Sequence, residues 1–491
     1  MTWSSLRQAG CVALLLAAAG CAHYPLNSPL GSAPSAAYRF PDTAAGDTNS
    51  DSLLVCLTFS GGGTRAAALA YGVMQELRDT PIQGPSGART LLGEVDCISA
   101  VSGGAFAAAY YGLFGDRFFQ DFRRRFLDRN IQRELAVQLA NPATLARLAS
   151  PYFSRSDLAA ELYDRTIFKQ RSFADMVGRR PYVILNATDL ATGDRFEFTQ
   201  EQFDVLGSDL APYPVARAVA ASSAFPLLLT PVSLQNHPQP AGRAPAPEFQ
   251  EYQDALTAFE SDRRRWAWAH SRLDYYTRKQ ERPWVHLGDG GMADNIGLRP
   301  LDAAYRFASG FIRPRINRRQ VQRVVIIAVN ARTDPQEQIS KKASPPGALA
   351  IAYKATTIAM DNYSFDSLQL MHDLQADADQ ARAYVAGCQR RLDGYVATLD
   401  PACAKPPPRL LAPASLRGCL VQVDFEALPS EQERRHFLNL PTTFALPRQD
   451  VDDLIAVGRR LLRDSADFQR LVRALAGAPS PVSSDQDSNC G

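Results

Sequence analysis

Val95-Asp96-Cys97-Ile98-Ser99-Ala100-Val101-Ser102-Gly103-Gly104-Ala105-Phe106 is the stretch whose reading decides the fold. It begins as a run of strand-forming residues and turns abruptly at Ser102. It then passes through Gly103 and Gly104 into Ala and aromatic residues with helical character as far as Gly112. Strand, serine, glycines, helix is the order of a nucleophile elbow, in which a sharp turn carries the serine hydroxyl beyond the end of a sheet. Backbone N–H groups at the start of the following helix then face any oxyanion formed beside it. Small residues are needed where helix and strand backbones approach, and Ala100, Gly104 and Ala105 supply them. Ala100 replaces the first Gly of G-x-S-x-G. The competing reading is a strand-to-helix turn whose glycines serve packing alone, so the rest of the chain has to decide.

A second glycine turn lies upstream. Ser52 to Phe59 is an apolar run suited to a buried parallel strand, and it leads directly into Ser60-Gly61-Gly62-Gly63-Thr64-Arg65 and a helix over 66–77. Three glycines between a buried strand and a helix leave backbone N–H groups unshielded, which makes an anion site. Arg65-Ala66 does not supply the Lys-Ser/Thr of a phosphate-binding loop, and the spacing fails the dinucleotide pattern. An oxyanion hole formed by Gly61, Gly62, Gly63 and Thr64 for a nucleophile at Ser102 remains.

These two segments, in this order and about forty residues apart, resemble the patatin-like phospholipase family. That family places a G-G-G-x-R/K loop ahead of its serine elbow and completes its site with a downstream D-G-G/A, here Asp289-Gly290-Gly291. Val183 to Gly193 resembles the family's second core strand and turn, and Ala221-Ser222-Ser223-Ala224-Phe225-Pro226 its A-S-x-A-x-P segment. The resemblance runs from about Leu53 to Pro300, with departures at Ala100 and at Ala66, where many members carry Gly. It implies an α/β fold with a largely parallel sheet sandwiched by helices. It also implies a Ser102/Asp289 dyad without histidine. Asp289 would act as general base and then as general acid toward the leaving alcohol. Arg65 would orient the loop or bind a lipid phosphate.

An α/β-hydrolase triad is the alternative machine, and the histidines speak against it. His23 is near the N-terminus, His237 in a Pro-rich stretch and His270 in a long helical pattern; His372 and His436 do not follow a strand in a short turn. His286 is three residues before Asp289 on a predicted strand, which puts it on the opposite pleat face.

Charge is balanced, 53 Lys+Arg against 51 Asp+Glu, so no basic excess points to nucleic acid. Arg7 and the apolar Cys11 to Ala19 precede Ala18-Ala19-Gly20-Cys21, which resembles a bacterial lipoprotein signal over 1–20 with acylation at Cys21. No Asp follows Cys21, and by analogy the protein would be anchored to the outer membrane. Residues 21–50, rich in Ser, Ala, Pro and Asn, are expected as a flexible tether. Cys56 and Cys97 are expected as buried apolar residues, and Cys388–Cys403 as a disulfide. No cysteine or histidine spacing suggests a structural zinc, and the dyad chemistry needs no metal and no cofactor.

The catalytic domain is expected over 51–330, with an insertion at 233–282 that is Pro-rich and then helical. Tyr252, Phe259, Trp266 and Leu273 recur every seven residues there, the pattern of a packed helix or of a lid over 248–282. Arg123-Arg124-Arg125 suits a solvated helix face or a phosphate contact. A C-terminal helical extension is expected over 331–476, with a late strand at Leu420 to Phe425, and a disordered tail over 477–491. The expected activity is hydrolysis of a phospholipid or lysophospholipid ester through an acyl-Ser102 intermediate. A lipid-holding envelope protein without catalysis, an acyltransferase and a neutral-lipid esterase are the alternatives.

Overall fold

The computed structural model describes residues 27–31, 37–40, 49–84, 87–226, 228–241, 271, 274–307, 309–334, 343–398, 417–476 and 490. Its centre is an eight-stranded sheet. In chain order the strands are β1 (Leu53–Phe59), β2 (Val95–Val101), β3 (Tyr182–Asp189), β4 (Asp194–Glu197), β5 (Val232–Gln235), β6 (Trp284–Asp289), β7 (Arg323–Asn330) and β8 (Arg417–Asp424). The spatial order is β8-β7-β1-β2-β3-β6-β5, with β4 paired to the end of β3. The first five strands are all parallel; β6 runs antiparallel to β3, and β5 to β6. This is the expected α/β class. Helices cover the sheet, so β1 and β2 are buried at every residue and read as continuous apolar runs rather than alternating ones.

Two of the central strands feed helices at their C-terminal ends. Helix α1 (Gly63–Asp79) follows β1, and α2 (Ser102–Phe114) follows β2. Further along come α3 (Val215–Ser222), the short α4 (Gly291–Asp294), the 49-residue α5 (Ala348–Val396), α6 (Arg448–Asp464) and α7 (Ala466–Leu475). No helix among the described residues is long and apolar enough to cross a membrane.

The boundary expected at residue 330 is not a break in the sheet. β8 pairs with β7 along its full length, and α6 packs on α1. Glu76 of α1 receives Arg463 through Nε at 2.7 Å and Nη2 at 2.6 Å, and Arg459 Nε at 3.1 Å. These bonds, Arg463 first, hold the Glu76 carboxyl below its ordinary range. The extension is therefore a strand and helices built into the same sheet and its covering helix layer.

Expectations at the chain ends and cysteines are corrected. The stretch expected as a tether packs on the domain where it is described. Ser28–Pro29 pairs antiparallel with Ser208–Asp209, Tyr38 and Phe40 are buried, and Tyr38 Oη bridges the Val183 carbonyl and amide. An aromatic pair in a polar segment is enough to dock it, because each ring buries a large apolar area. Cys56 and Cys97, register partners on β1 and β2, are joined in a disulfide, and Cys419 is joined to Cys490. Cys388 is a free thiol among the described residues, and Cys403, its expected partner, lies outside them. Cys490 is buried, so the expected disordered tail is tied down at that residue. Residue spacing could not reveal these pairs, because adjacency across a sheet depends on strand order.

Most of the insertion, with the lid expected over 248–282, lies outside the described residues. Its C-terminal end is anchored: Tyr276 Oη donates to Asp189 Oδ2 at 2.8 Å, and Asn236 Nδ2 donates to the Tyr276 and Arg282 carbonyls. The arginine cluster forms ion pairs. Arg123 meets Asp128 and Asp452, and Arg124 meets Asp121, while Arg125 Nη1 donates to the Thr166 carbonyl.

Peptide mapping without reductant is expected to recover Cys56 linked to Cys97 and Cys419 linked to Cys490. Replacing Cys56 and Cys97 together by Ala should lower stability by about 3 kcal/mol in denaturant unfolding.

Candidate active site

The site is assembled where β1, β2 and β6 end. Register does the assembling. Val101, the last residue of β2, pairs with Asn186 of β3, and Asp289, the last of β6, pairs with the next residue, Ala187. Ser102 and Asp289 are thus neighbours across one strand, although 187 residues apart in sequence by their numbers.

Ser102 has φ 48°, a left-handed conformation that a non-glycine residue holds only when its surroundings impose it. The imposing contact is Ser222 at the end of α3. Ser222 Oγ accepts the Ser102 N–H at 2.9 Å and donates to the Asn186 carbonyl at 2.6 Å. The segment matching A-S-x-A-x-P therefore braces the elbow, a role the sequence reading did not assign to Ser222.

The glycine loop lies directly against the elbow. A Cβ on Gly103 would fall 2.1 Å from the Gly63 carbonyl oxygen and 2.5 Å from its nitrogen, so no side chain fits there. Gly62 and Gly63 adopt φ 138° and 60°, positive values that only glycine holds without strain. Four amides were expected to face an oxyanion, and two of them are otherwise engaged. Gly61 N–H donates to the Asn295 carbonyl at 2.9 Å and Thr64 N–H to the Thr443 carbonyl at 2.8 Å. The N–H groups of Gly62 and Gly63 donate to no acceptor among the described residues. Sequence could not make this distinction, since both acceptors come from distant segments.

Arg65 is buried. Its Nε donates to the Ala331 carbonyl at 2.9 Å, Nη1 to the Leu440 carbonyl at 2.7 Å and Nη2 to Thr442 Oγ1 at 3.1 Å. Of the two roles left open for it, orientation of the loop fits this geometry; a lipid phosphate has no access to a guanidinium so enclosed.

Asp289 is buried, with Oδ1 accepting the Gly291 N–H at 2.8 Å. Burial pushes its carboxyl up to about 6, against the opposing hydrogen bonds from Gly291 and from the Ser102 hydroxyl. Asn295 sits between the two loops: a Cβ on Gly61 would lie 2.4 Å from Asn295 Oδ1 and 3.3 Å from the Ser102 Cβ.

The described histidines are occupied elsewhere. His286 is exposed, with Nδ1 2.9 Å from Ser233 Oγ, while Leu287 and Asp289 are buried. His237 Nε2 lies 2.8 Å from the Asn27 carbonyl oxygen, and His372 meets Gln422. His436 approaches Asp450 and Asp453 closely enough for a shared ion, but none of the three is buried. His23 and His270, like Cys21, lie outside the described residues.

With this geometry in place, comparison with known proteins is informative. The model of the family described as patatin-like phospholipase matches residues 57–302, from the end of β1 through the glycine loop and the elbow to beyond Asp289. The chain belongs to the patatin-like phospholipase family. Among solved structures, human GIVD cytosolic phospholipase A2 is similar at 16% identity and a TM-score of 0.34, covering 56% of this chain and 45% of that one. The same human protein in complex with methyl gamma-linolenyl fluorophosphonate is similar at 13% identity and a TM-score of 0.37, covering 87% of this chain and 59% of that one. This chain therefore spans about half the length of these relatives. No curated protein matched.

Replacing Arg65 by Met should cost about 3 kcal/mol of stability in denaturant unfolding, because buried carbonyls lose a charged donor. Any remaining activity should keep the wild-type ratio between anionic and zwitterionic lipid substrates; a changed ratio would return Arg65 to head-group binding.

Proposed function

We propose that this chain is a serine acyl hydrolase of phospholipid or lysophospholipid esters, working through a Ser102/Asp289 dyad. The observation that carries the reading is the juxtaposition of a strained serine turn, a buried carboxyl and two unengaged amides at one end of one sheet. Ionised Asp289 takes the proton as Ser102 Oγ attacks the ester carbonyl. The Gly62 and Gly63 amides receive the developing oxyanion, each such donor being worth about 10²–10³ in rate. Protonated Asp289 then donates to the leaving alcohol, and water releases the acyl group by the same steps in reverse roles.

Cys21 is proposed as the lipid anchor, with the protein held at the outer membrane of an exporting bacterium. The two disulfides support an oxidising compartment. The lipid anchor would keep the site near its substrate.

The decisive experiment is ester hydrolysis on short acyl esters and phospholipid vesicles with chelator present. Ser102→Ala and Asp289→Asn are expected to lose at least about 10³-fold in kcat/KM, while His286→Ala keeps wild-type activity. A fluorophosphonate should label wild type and not Ser102→Ala. Folded wild type that neither hydrolyses esters nor is labelled would favour the lipid-holding alternative. Transfer of the acyl group to an alcohol in preference to water would make it a transferase.

A base titrating at about 6 has a defined signature. In the free enzyme kcat/KM should rise with pH up to about 6 and then level. Because folding raises this carboxyl, the wild type loses stability as pH climbs from about 4 through 6, where burial of the ionised form becomes costly. Asp289→Asn lacks that cost. It should therefore be more stable than wild type at pH 8, with the advantage vanishing below pH 4, as measured by thermal unfolding at each pH.

A further inference from the structure

Helix α5 lies wholly beyond the family-matched residues, yet it packs on α4, the turn that follows Asp289. One stripe of α5 does the packing. Met360, Ser364, Ser367 and Met371 are spaced four, three and four apart and so share a face. Ser364 and Ser367 are buried, Met371 packs on the core, and Arg299 Nε donates to Ser367 Oγ at 3.3 Å. The Arg299 guanidinium also lies over the Tyr363 ring, 5.0 Å from its centroid. The opposite stripe, Ile351, Ile358 and Phe365, is exposed. The helix is thus pinned beside Arg299, with Met360 leading its inward face toward the dyad.

Met360 reaches the space over Gly291, beside the carboxyl. A Cβ built on Gly291 would fall 2.0 Å from Met360 Cε, 2.8 Å from Asn295 Oδ1 and 3.0 Å from Asp289 Oδ1. The Met360 methyl and the Asp289 carboxyl therefore share one small volume over Gly291. In an acyl transfer the oxyanion turns to the amides and the leaving alcohol turns to the acid that protonates it. In the proposed mechanism the acid is Asp289, so a side chain seated beside its carboxyl over Gly291 borders the room left for the leaving alcohol. That side chain is unbranched and apolar and can be lengthened, shortened or moved without disturbing a hydrogen bond.

We infer that Met360 is a specificity-determining residue that sets the room available to the leaving alcohol, supplied by a helix outside the family's own catalytic region. The inference rests on the proposed hydrolase reading. Its ligand class is the alcohol half of an ester, not the acyl chain.

The test compares esters of one fatty acid with small and bulky alcohols, methyl against a branched secondary alcohol and against lysophosphatidylcholine. A second series varies acyl length at constant alcohol. Met360→Ala should raise the bulky-to-small ratio of kcat/KM by about tenfold, Met360→Trp should lower it similarly, and Met360→Leu should stay near wild type. The acyl-length profile should not move in any variant. Labelling by a small alkyl fluorophosphonate, whose leaving group is fluoride and needs no room, should proceed at the wild-type rate in all three.

An unchanged alcohol ratio in Met360→Ala and Met360→Trp overturns the inference. So does a shift confined to acyl length, or an equal loss on every ester and in labelling, which would make Met360 merely structural. Failure of the underlying hydrolase reading is distinct: there, folded wild type itself cleaves none of the esters, and the inference falls with it.

Discussion

Two strand-to-helix turns are pressed together so closely that Gly103 has no room for a side chain beside the Gly63 backbone. That contact can exist only if β1 and β2 are adjacent, parallel and in the observed register, with Phe59 opposite Ala100. Most of the remaining architecture holds this pair of turns in place. Ser222 fixes the left-handed serine from one side. Arg65 and the Thr64 amide tie the glycine loop to the C-terminal segment from the other. The Cys56–Cys97 bridge links the same two strands below the turns.

The C-terminal part of the chain is consequently part of the site's scaffold. Leu440, Thr442 and Thr443 accept the loop's hydrogen bonds, β8 extends the sheet beside β7, and α6 backs α1 with paired charges on Glu76. A buried guanidinium is stable only with its donors satisfied, so Arg65 and this segment depend on each other. Two of the four loop amides are taken up by these braces. The loop gains rigidity at the expense of two donors, and the Gly62 and Gly63 amides are left without an acceptor among the described residues.

The same economy applies on the aspartate side. β6 is the strand that breaks the parallel run. Its reversed direction brings its C-terminal residue, Asp289, alongside Ala187 and hence beside the elbow. Burial there raises the carboxyl's affinity for its proton into the range useful for proton exchange near neutrality. Helix α5 then closes over Gly291, so the surface around the carboxyl is set partly by residues that belong to no motif.

Local chemistry was legible from the sequence wherever one segment carried its own constraint. The strand-serine-glycine run at Val95–Gly104, the three glycines after Phe59 and the Asp-Gly-Gly after β6 each declare a turn that few other residues can make. They therefore named the fold class and the candidate dyad. The alternation along β6 likewise placed His286 away from Asp289. What depended on which segments meet was hidden: the Cys56–Cys97 and Cys419–Cys490 pairs, the docking of Tyr38 and Phe40, the bracing by Ser222, the enclosure of Arg65 and the reach of Met360. The reason is physical. A turn's dihedrals are set by the few residues that make it, whereas strand order, register and the seating of a distant helix are set by the packing of the whole core. Only the tertiary structure fixes those, and with them the surroundings that decide what each motif residue can do.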